Sequence, residues 1–270
     1  MDSLLKSGYY QLNQIVNISI KKFSKNFKNI DAYINTQLEK FGDLNNIVEK
    51  INTDGYIMFN QLLNQDVVNK LNIEFDFVLK NKKNSFEKSN SNTFQHRCFE
   101  KNNLYFDGLI YMFSLFNNSK LSKIIDLLFK KENRFNSQIF FQETKKTLNP
   151  LAKELHFDKL HQFKIWLFLN DIENANGPIE IFPKSHNQNE YQRLNSYKSI
   201  EDVVNLPKNN INYSGKKLVG NAGSLLIFNS DLYHRATSVT EGSRRIVRGH
   251  SMSYQTLKYR YEFERSMRKN

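Results

Sequence analysis

The pattern of apolar and polar positions changes character along this 270-residue chain. In the first 44 residues apolar side chains recur near the helical period, at Leu4, Leu5, Tyr9, Leu12 and Ile15. They continue less regularly at Phe23, Phe27, Ile30, Tyr33 and Leu38. This predicts amphipathic helices. Next come the end of a helix at Ile47 to Ile51, a turn at Thr53-Asp54-Gly55 and a short strand from Tyr56 to Phe59. Asn64-Gln65-Asp66 then caps a helix whose apolar positions are Val67, Val68, Leu71 and Ile73. From Lys80 to Asn103 the chain is polar and reads as a long mobile loop. Leu104 to Lys131 is helical again.

Beyond that point the apolar runs shorten to strand length: Ser137 to Gln142, Lys164 to Asp171, Ile179 to Phe182 and Ser224 to Phe228. A last extended stretch opens at Gly242 and runs to Tyr254. Asn176-Gly177-Pro178 and Gly220-Asn221-Ala222-Gly223 are turn signals between them. Residues 187–216 form a polar insertion, and the end of the chain is a basic, aromatic helix on the outside.

Composition adds bounds rather than a fold. An aromatic content of 13% supplies a sizeable core. A net charge of +12 opens three classes of partner: nucleic acid, an anionic membrane, or an anionic substrate. The lysine enrichment runs through the whole chain together with Asn and Ile, so an AT-rich coding bias accounts for it better than a nucleic-acid partner does. The single cysteine, Cys98, excludes an internal disulfide framework and fits a reducing cytoplasm. No run approaches the roughly 20 apolar residues of a membrane-spanning helix. Lys6, Gln11 and Asn13 interrupt any signal-peptide pattern.

The chemistry concentrates in His156-Phe157-Asp158 and a distant His234. Residues i and i+2 of an extended chain point to the same side, so one strand end offers an imidazole and a carboxylate together, while Phe157 turns to packing. With a second imidazole these make the facial triad that holds iron(II) and leaves its opposite face open. Arg244 and Arg245 are neighbours on an alternating strand, so only one can face inward. A guanidinium there suits a planar carboxylate better than an ammonium does. His96 and His161 read as solvated or packing residues, Trp166 as core, and Lys164 as outward-facing.

The order of these pieces resembles the phytanoyl-CoA dioxygenase family: His156-x-Asp158, a strand ending in Asn170-Asp171, Asn176-Gly177-Pro178, Pro183-Lys184-Ser185-His186, then His234 with an arginine, Arg244, ten residues on. The resemblance spans roughly residues 46 to 254. It implies a β-rich α+β fold, a double-stranded β-helix (jelly-roll, cupin-like) core buttressed by N-terminal helices. It further implies iron(II) on His156, Asp158 and His234, with 2-oxoglutarate and O2 as co-substrates. Arg244 would grip the far carboxylate of 2-oxoglutarate, and Gln142, at the end of its strand, would contact the same molecule through its amide. The polar 80–103 loop becomes a candidate lid, and His186 a structural residue. With a carboxylate at position 158, hydroxylation is implied rather than halogenation. Phe157 departs from the family, which often has a small or polar residue there.

The resulting division is a helical extension over 1–44 packed on the core, an oxygenase domain over 45–256 and a basic tail over 257–270. The expected activity is hydroxylation of an aliphatic C–H in a small polar or anionic molecule, with release of succinate and CO2. The expected location is cytoplasmic, with no membrane partner and a homodimer through the N-terminal helices as the protein contact. The alternative from another class is a non-catalytic jelly roll that binds nucleic acid or another polyanion through its basic surface.

Overall fold

The structure is a computed structural model that describes residues 29–81, 85–88, 91–98, 104, 108–130, 133–158, 160–189 and 213–253. The expectations for residues 1–28, for most of the 187–216 insertion and for the 257–270 tail lie outside these residues.

Among the described residues five helices lie in the first half of the chain. α1 (29–39) is followed by α2 (Leu44–Asp54) and α3 (Gln65–Asn81). α4 (Ile110–Phe116) and α5 (Ser119–Phe129) complete the set. Side-chain caps define the starts of α2, α3 and α5. Asp43 accepts from the Asn46 N–H at 2.8 Å, Asn64 from Val67 at 3.0 Å and Asn118 from Leu121 at 2.9 Å. α2 runs through Thr53 and Asp54, two residues the sequence had assigned to a turn, and stops at Gly55. Gly55 has φ 85° and donates its N–H to the Ile51 carbonyl. A Cβ at Gly55 would come within 2.8 Å of the Leu232 and His186 side chains, so the helix end is docked tightly against the rest of the fold. Among the described residues no helix is long and apolar enough to cross a membrane.

Among the described residues ten strands form two antiparallel sheets. They are β1 (Tyr56–Phe59), β2 (Ser85–Lys88), β3 (Thr93–Cys98), β4 (Asn133–Thr147), β5 (Gln162–Phe168), β6 (Ile179–Ile181), β7 (Lys216–Leu218), β8 (Leu225–Asn229), β9 (His234–Ala236) and β10 (Val239–Ser253). The large sheet has the order β1-β8-β5-β10-β4-β3-β2 and the small one β7-β6-β9. Strand alternation gives the large sheet two different faces. Phe163, Ile165 and Leu167 of β5 join Ile139, Phe141, Ile227 and Val247 in one cluster with the helices. Trp166, Phe168, Leu226, Phe228 and Ile246 point the other way, against Ile179, Ile181 and Leu218 of the small sheet. The fold is therefore a helical layer, a large sheet and a small sheet, which is the jelly-roll core with buttressing helices that the family resemblance implied.

Two expectations are corrected. The long loop expected over 80–103 is strand at its described residues 85–88 and 93–98: β2 and β3 pair antiparallel and extend the large sheet through β4. Its inward side chains are polar, with Thr93 and Gln95 buried, so the strand lacks an apolar alternation. His96 faces the opposite way, edge-on to Phe141 at 6.0 Å, instead of standing in water. Ile73, read as part of the apolar face of α3, is 68% exposed; Leu71, Phe75 and Val78 carry that face with Val68.

Candidate active site

His156 and His234 sit opposite one another in a local antiparallel bridge. The His156 N–H donates to the His234 carbonyl at 3.1 Å, and the His234 N–H to the His156 carbonyl at 2.7 Å. Direct cross-strand partners project to the same face, and the two rings lie with centroids 4.4 Å apart. Two residues on, Asp158 donates its N–H to the Ser230 carbonyl, which keeps the segment extended. Phe157 consequently points away and packs against Tyr233 and Phe182. One ligating atom from each of His156, Asp158 and His234 lies within 4.8 Å of the others.

The protonation of this group follows from its hydrogen bonds. Nδ1 of His156 lies 2.7 Å from the Glu154 carbonyl, and Nδ1 of His234 lies 2.8 Å from the Leu232 carbonyl. A carbonyl oxygen can only accept, so each Nδ1 carries a hydrogen and Nε2 is the ring nitrogen left to ligate. Burial pushes His234 down to about 3, and the nearby Lys164 charge adds to the effect, so the ring is neutral at physiological pH. Burial pushes the Asp158 carboxyl up, but Lys164, His234 and His156 together outweigh it and hold the group below the usual carboxylate range.

The two oxygens of Asp158 are not equivalent. Oδ2 accepts from the Gln162 amide at 2.8 Å and from the Lys164 ammonium at 2.6 Å. Oδ1 lies 3.7 Å from Nε2 of His234. Two imidazole lone pairs and one carboxylate oxygen, each with its other atom tied down, form a donor set that fits a divalent transition metal and its usual supporting shell. Lys164 reverses its expected orientation. It is buried on the inner face of β5, because the Asp158 carboxylate supplies the counter-charge that makes burial tolerable.

The adjacent arginines separate to opposite faces. Arg244 is 1% exposed and turned inward, where its guanidinium donates to the Gly177 carbonyl. Arg245 turns toward the helices, pairs with Asp76 at 3.0 Å and Glu143 at 3.1 Å, and stacks over Phe75. Arg244 is paired in register with Thr144. Gln142 is also buried and inward, donating to the Thr144 hydroxyl at 3.2 Å, though it lies mid-strand instead of at a strand end. A further arginine, Arg248, shares the inner face of β10 and lies over the rings of Phe140 and Trp166, at 5.0 and 5.7 Å.

The remaining histidines are structural. His186 bonds to the Asn52 carbonyl at 2.9 Å, and His161 pairs with Asp231 at 2.8 Å and packs edge-on to Phe129 and Phe163. Sequence reasoning passed over Gln162 and Arg248. Gln162 gave no local signal. Arg248 did, because its spacing of four from Arg244 puts both on one face of a strand.

A family model described as phytanoyl-CoA dioxygenase (PhyH) matches residues 51–246. No curated protein matches by sequence. Among solved structures, the chain is similar to SnoN, a non-haem α-ketoglutarate-dependent epimerase of nogalamycin biosynthesis, with TM-score 0.58 and 15% identity over 78% of this chain and 82% of that one. HygX from Streptomyces hygroscopicus, crystallised with nickel and 2-oxoglutarate, aligns with TM-score 0.55 and 12% identity over 77% and 87% of the two chains. EctD from S. alaskensis aligns with TM-score 0.55 and 13% identity over 77% and 76%.

Proposed function

Because this chain belongs to the phytanoyl-CoA dioxygenase family of iron(II)- and 2-oxoglutarate-dependent oxygenases, we propose that it hydroxylates an aliphatic C–H of a small polar or anionic molecule and releases succinate and CO2. The observation that carries this reading is the convergence of His156, Asp158 and His234, with both imidazoles fixed as Nε2 donors. Iron(II) with 2-oxoglutarate and dioxygen, when bound, supplies the oxidant for an unactivated C–H bond, and the protein's part is geometry and exclusion of water.

His156 and His234 offer Nε2, and Asp158 offers Oδ1. Gln162 and Lys164 hold Oδ2 and so fix the carboxylate plane. Arg244 receives the far carboxylate of 2-oxoglutarate on a guanidinium already positioned by the Gly177 carbonyl. The Thr144 hydroxyl and the Gln142 amide stand on the same face as further donors to that molecule. Trp166, Phe168, Phe228 and Ile246 form the apolar wall that keeps bulk water from the reacting centre. The N-terminal helices remain the surface through which two copies would pair.

The test is stoichiometric. Anaerobically purified protein should take up one ferrous ion per chain, and in air it should convert 2-oxoglutarate to succinate. Asp158→Ala should lose both properties. Ferrous uptake and succinate release that persist unchanged in Asp158→Ala refute the assignment. A non-catalytic polyanion binder would instead release no succinate and bind nucleic acid with steep salt dependence.

A further inference from the structure

The inner face of β10 carries two arginines, and the co-substrate accounts for one. Arg248 pairs in register with Trp166 of β5 and Phe140 of β4, on the same side of the strand as Arg244 and Ile246. A short relay of rings leads from the histidines to it. His234 meets Phe228 at 5.4 Å, Phe228 meets Trp166 at 5.6 Å, and the Arg248 guanidinium lies 5.7 Å from the Trp166 ring centroid.

The charges around Arg248 are unevenly matched. Lys164 is neutralised by Asp158. Arg244 is bound by the Gly177 carbonyl and, in the proposed function, by 2-oxoglutarate. Arg248 has no carboxylate within ion-pair distance among the described residues, and its buried Nε has no hydrogen-bond partner among them. Burial and the neighbouring Arg244 pull it down, and the more distant Asp158 charge opposes them, so it falls only to about 10 and stays charged at neutral pH. An unmatched buried cation is costly to maintain. Its residue is nonetheless partly accessible. The guanidinium lies against the Phe140 and Trp166 rings, and an arginine fork so placed suits a planar or tetrahedral oxyanion.

We propose that Arg248 receives an anionic group of the substrate, a carboxylate, sulfonate or phosphate, so that the enzyme hydroxylates an organic anion. This rests on the proposed function, since it takes Arg244 as the partner of 2-oxoglutarate. The aromatic walls favour an anion carried on an apolar chain or ring.

Trp166 is the only tryptophan of the chain and lies beside this guanidinium, so its fluorescence reports occupancy directly. Full-length protein loaded anaerobically with ferrous iron and 2-oxoglutarate is titrated with butanoate, butanesulfonate, butyl phosphate and the neutral 1-butanol. The expected result is saturable change with at least one anion and none with 1-butanol; the tightest anion identifies the group. Arg248→Gln should weaken that binding at least about tenfold, with Arg248→Lys intermediate, while the Kd for 2-oxoglutarate stays within about twofold. Circular dichroism establishes that the variants are folded, and if Arg248→Gln is not, Arg248→Lys and the anion-versus-alcohol comparison decide alone. Equal binding of 1-butanol and the anions, or anion binding untouched in Arg248→Gln, overturns the proposal. So does loss of 2-oxoglutarate affinity in Arg248→Gln but not in Arg244→Gln, which would make Arg248 the co-substrate's partner. If wild-type protein fails to bind 2-oxoglutarate, the proposed function falls, and the same titration without iron and 2-oxoglutarate still tests whether Arg248 binds anions.

Discussion

Arg244 and Arg245 are one residue apart and offer a controlled comparison, because the strand sends them to opposite faces. Arg244→Gln removes a buried guanidinium from the site assigned to the far carboxylate of 2-oxoglutarate. Each hydrogen bond to a charged group contributes about 1.5–3 kcal/mol, so a two-pronged grip is worth about 3–6 kcal/mol. That is a rise in Kd of roughly two to four orders of magnitude. Arg245→Gln breaks the pairs with Asp76 and Glu143 and the stacking on Phe75. Asp76 is half exposed, so its pair contributes little, and the loss is about 1–2 kcal/mol of folding stability with no change in co-substrate affinity. Calorimetric titration of 2-oxoglutarate into anaerobic ferrous protein gives the first quantity, and urea unfolding gives the second. Were Arg245→Gln to abolish 2-oxoglutarate binding while Arg244→Gln left it intact, the inward assignment of Arg244 would be wrong. So would the account of the strand's bulged register between Val239 and Ser243.

Burial pushes the Glu74 carboxyl up to about 7, even though it accepts backbone N–H bonds from Tyr111 and Met112. A carboxyl raised above its unfolded value of 4.5 contributes its full stability below that pH, and about 3 kcal/mol is lost as pH rises through 7. Glu74→Gln should remove this slope from a series of urea midpoints; parallel wild-type and variant series would refute it. Gln162→Leu deletes the amide that holds Asp158 Oδ2 at 2.8 Å and should weaken ferrous binding about 10–100-fold, as read by competition with a chromophoric chelator. Undiminished affinity would mean that Lys164 alone orients the carboxylate. Gly223 has φ 86°, and a Cβ there would lie 2.3 Å from the Leu63 carbonyl oxygen. Gly223→Ala should therefore cost at least about 2 kcal/mol, and an unshifted thermal midpoint would contradict the tight turn.

The metal-ligand candidates were legible in the sequence because the period of a strand is short and strict. His156 and Asp158 had to share a face, and Phe157 had to leave it, as the packing against Tyr233 shows. What escaped were features set by partners distant in the chain. Lys164 lies in an otherwise apolar run, where hydropathy sends a charge outward; the Asp158 carboxylate that holds it inside is evident only once the chain has folded. The β2–β3 hairpin was hidden for the converse reason. Thr93 and Gln95 face inward and bond to Thr144 and Gln142, so a buried strand presents polar side chains and reads as a loop. The choice between Arg244 and Arg245 depended on a register shift at residues 239–243, which no residue pattern announces.

The backbone bridge between His156 and His234 is a reciprocal pair of hydrogen bonds joining two stretches far apart in the chain, flanked by the bonds from Asp158 to the Ser230 carbonyl and from Ala236 to the Ala152 carbonyl. An ion gripping both imidazoles would close that junction like a clasp, since the junction cannot open without ejecting it. Ligation to the native state alone raises stability in step with free ion over its Kd. Iron supply would then govern how long the molecule survives as well as how fast it turns over. Slower amide exchange at residues 156 and 234 on loading with ferrous ion would reveal this, and unchanged exchange would show that the clasp does not hold.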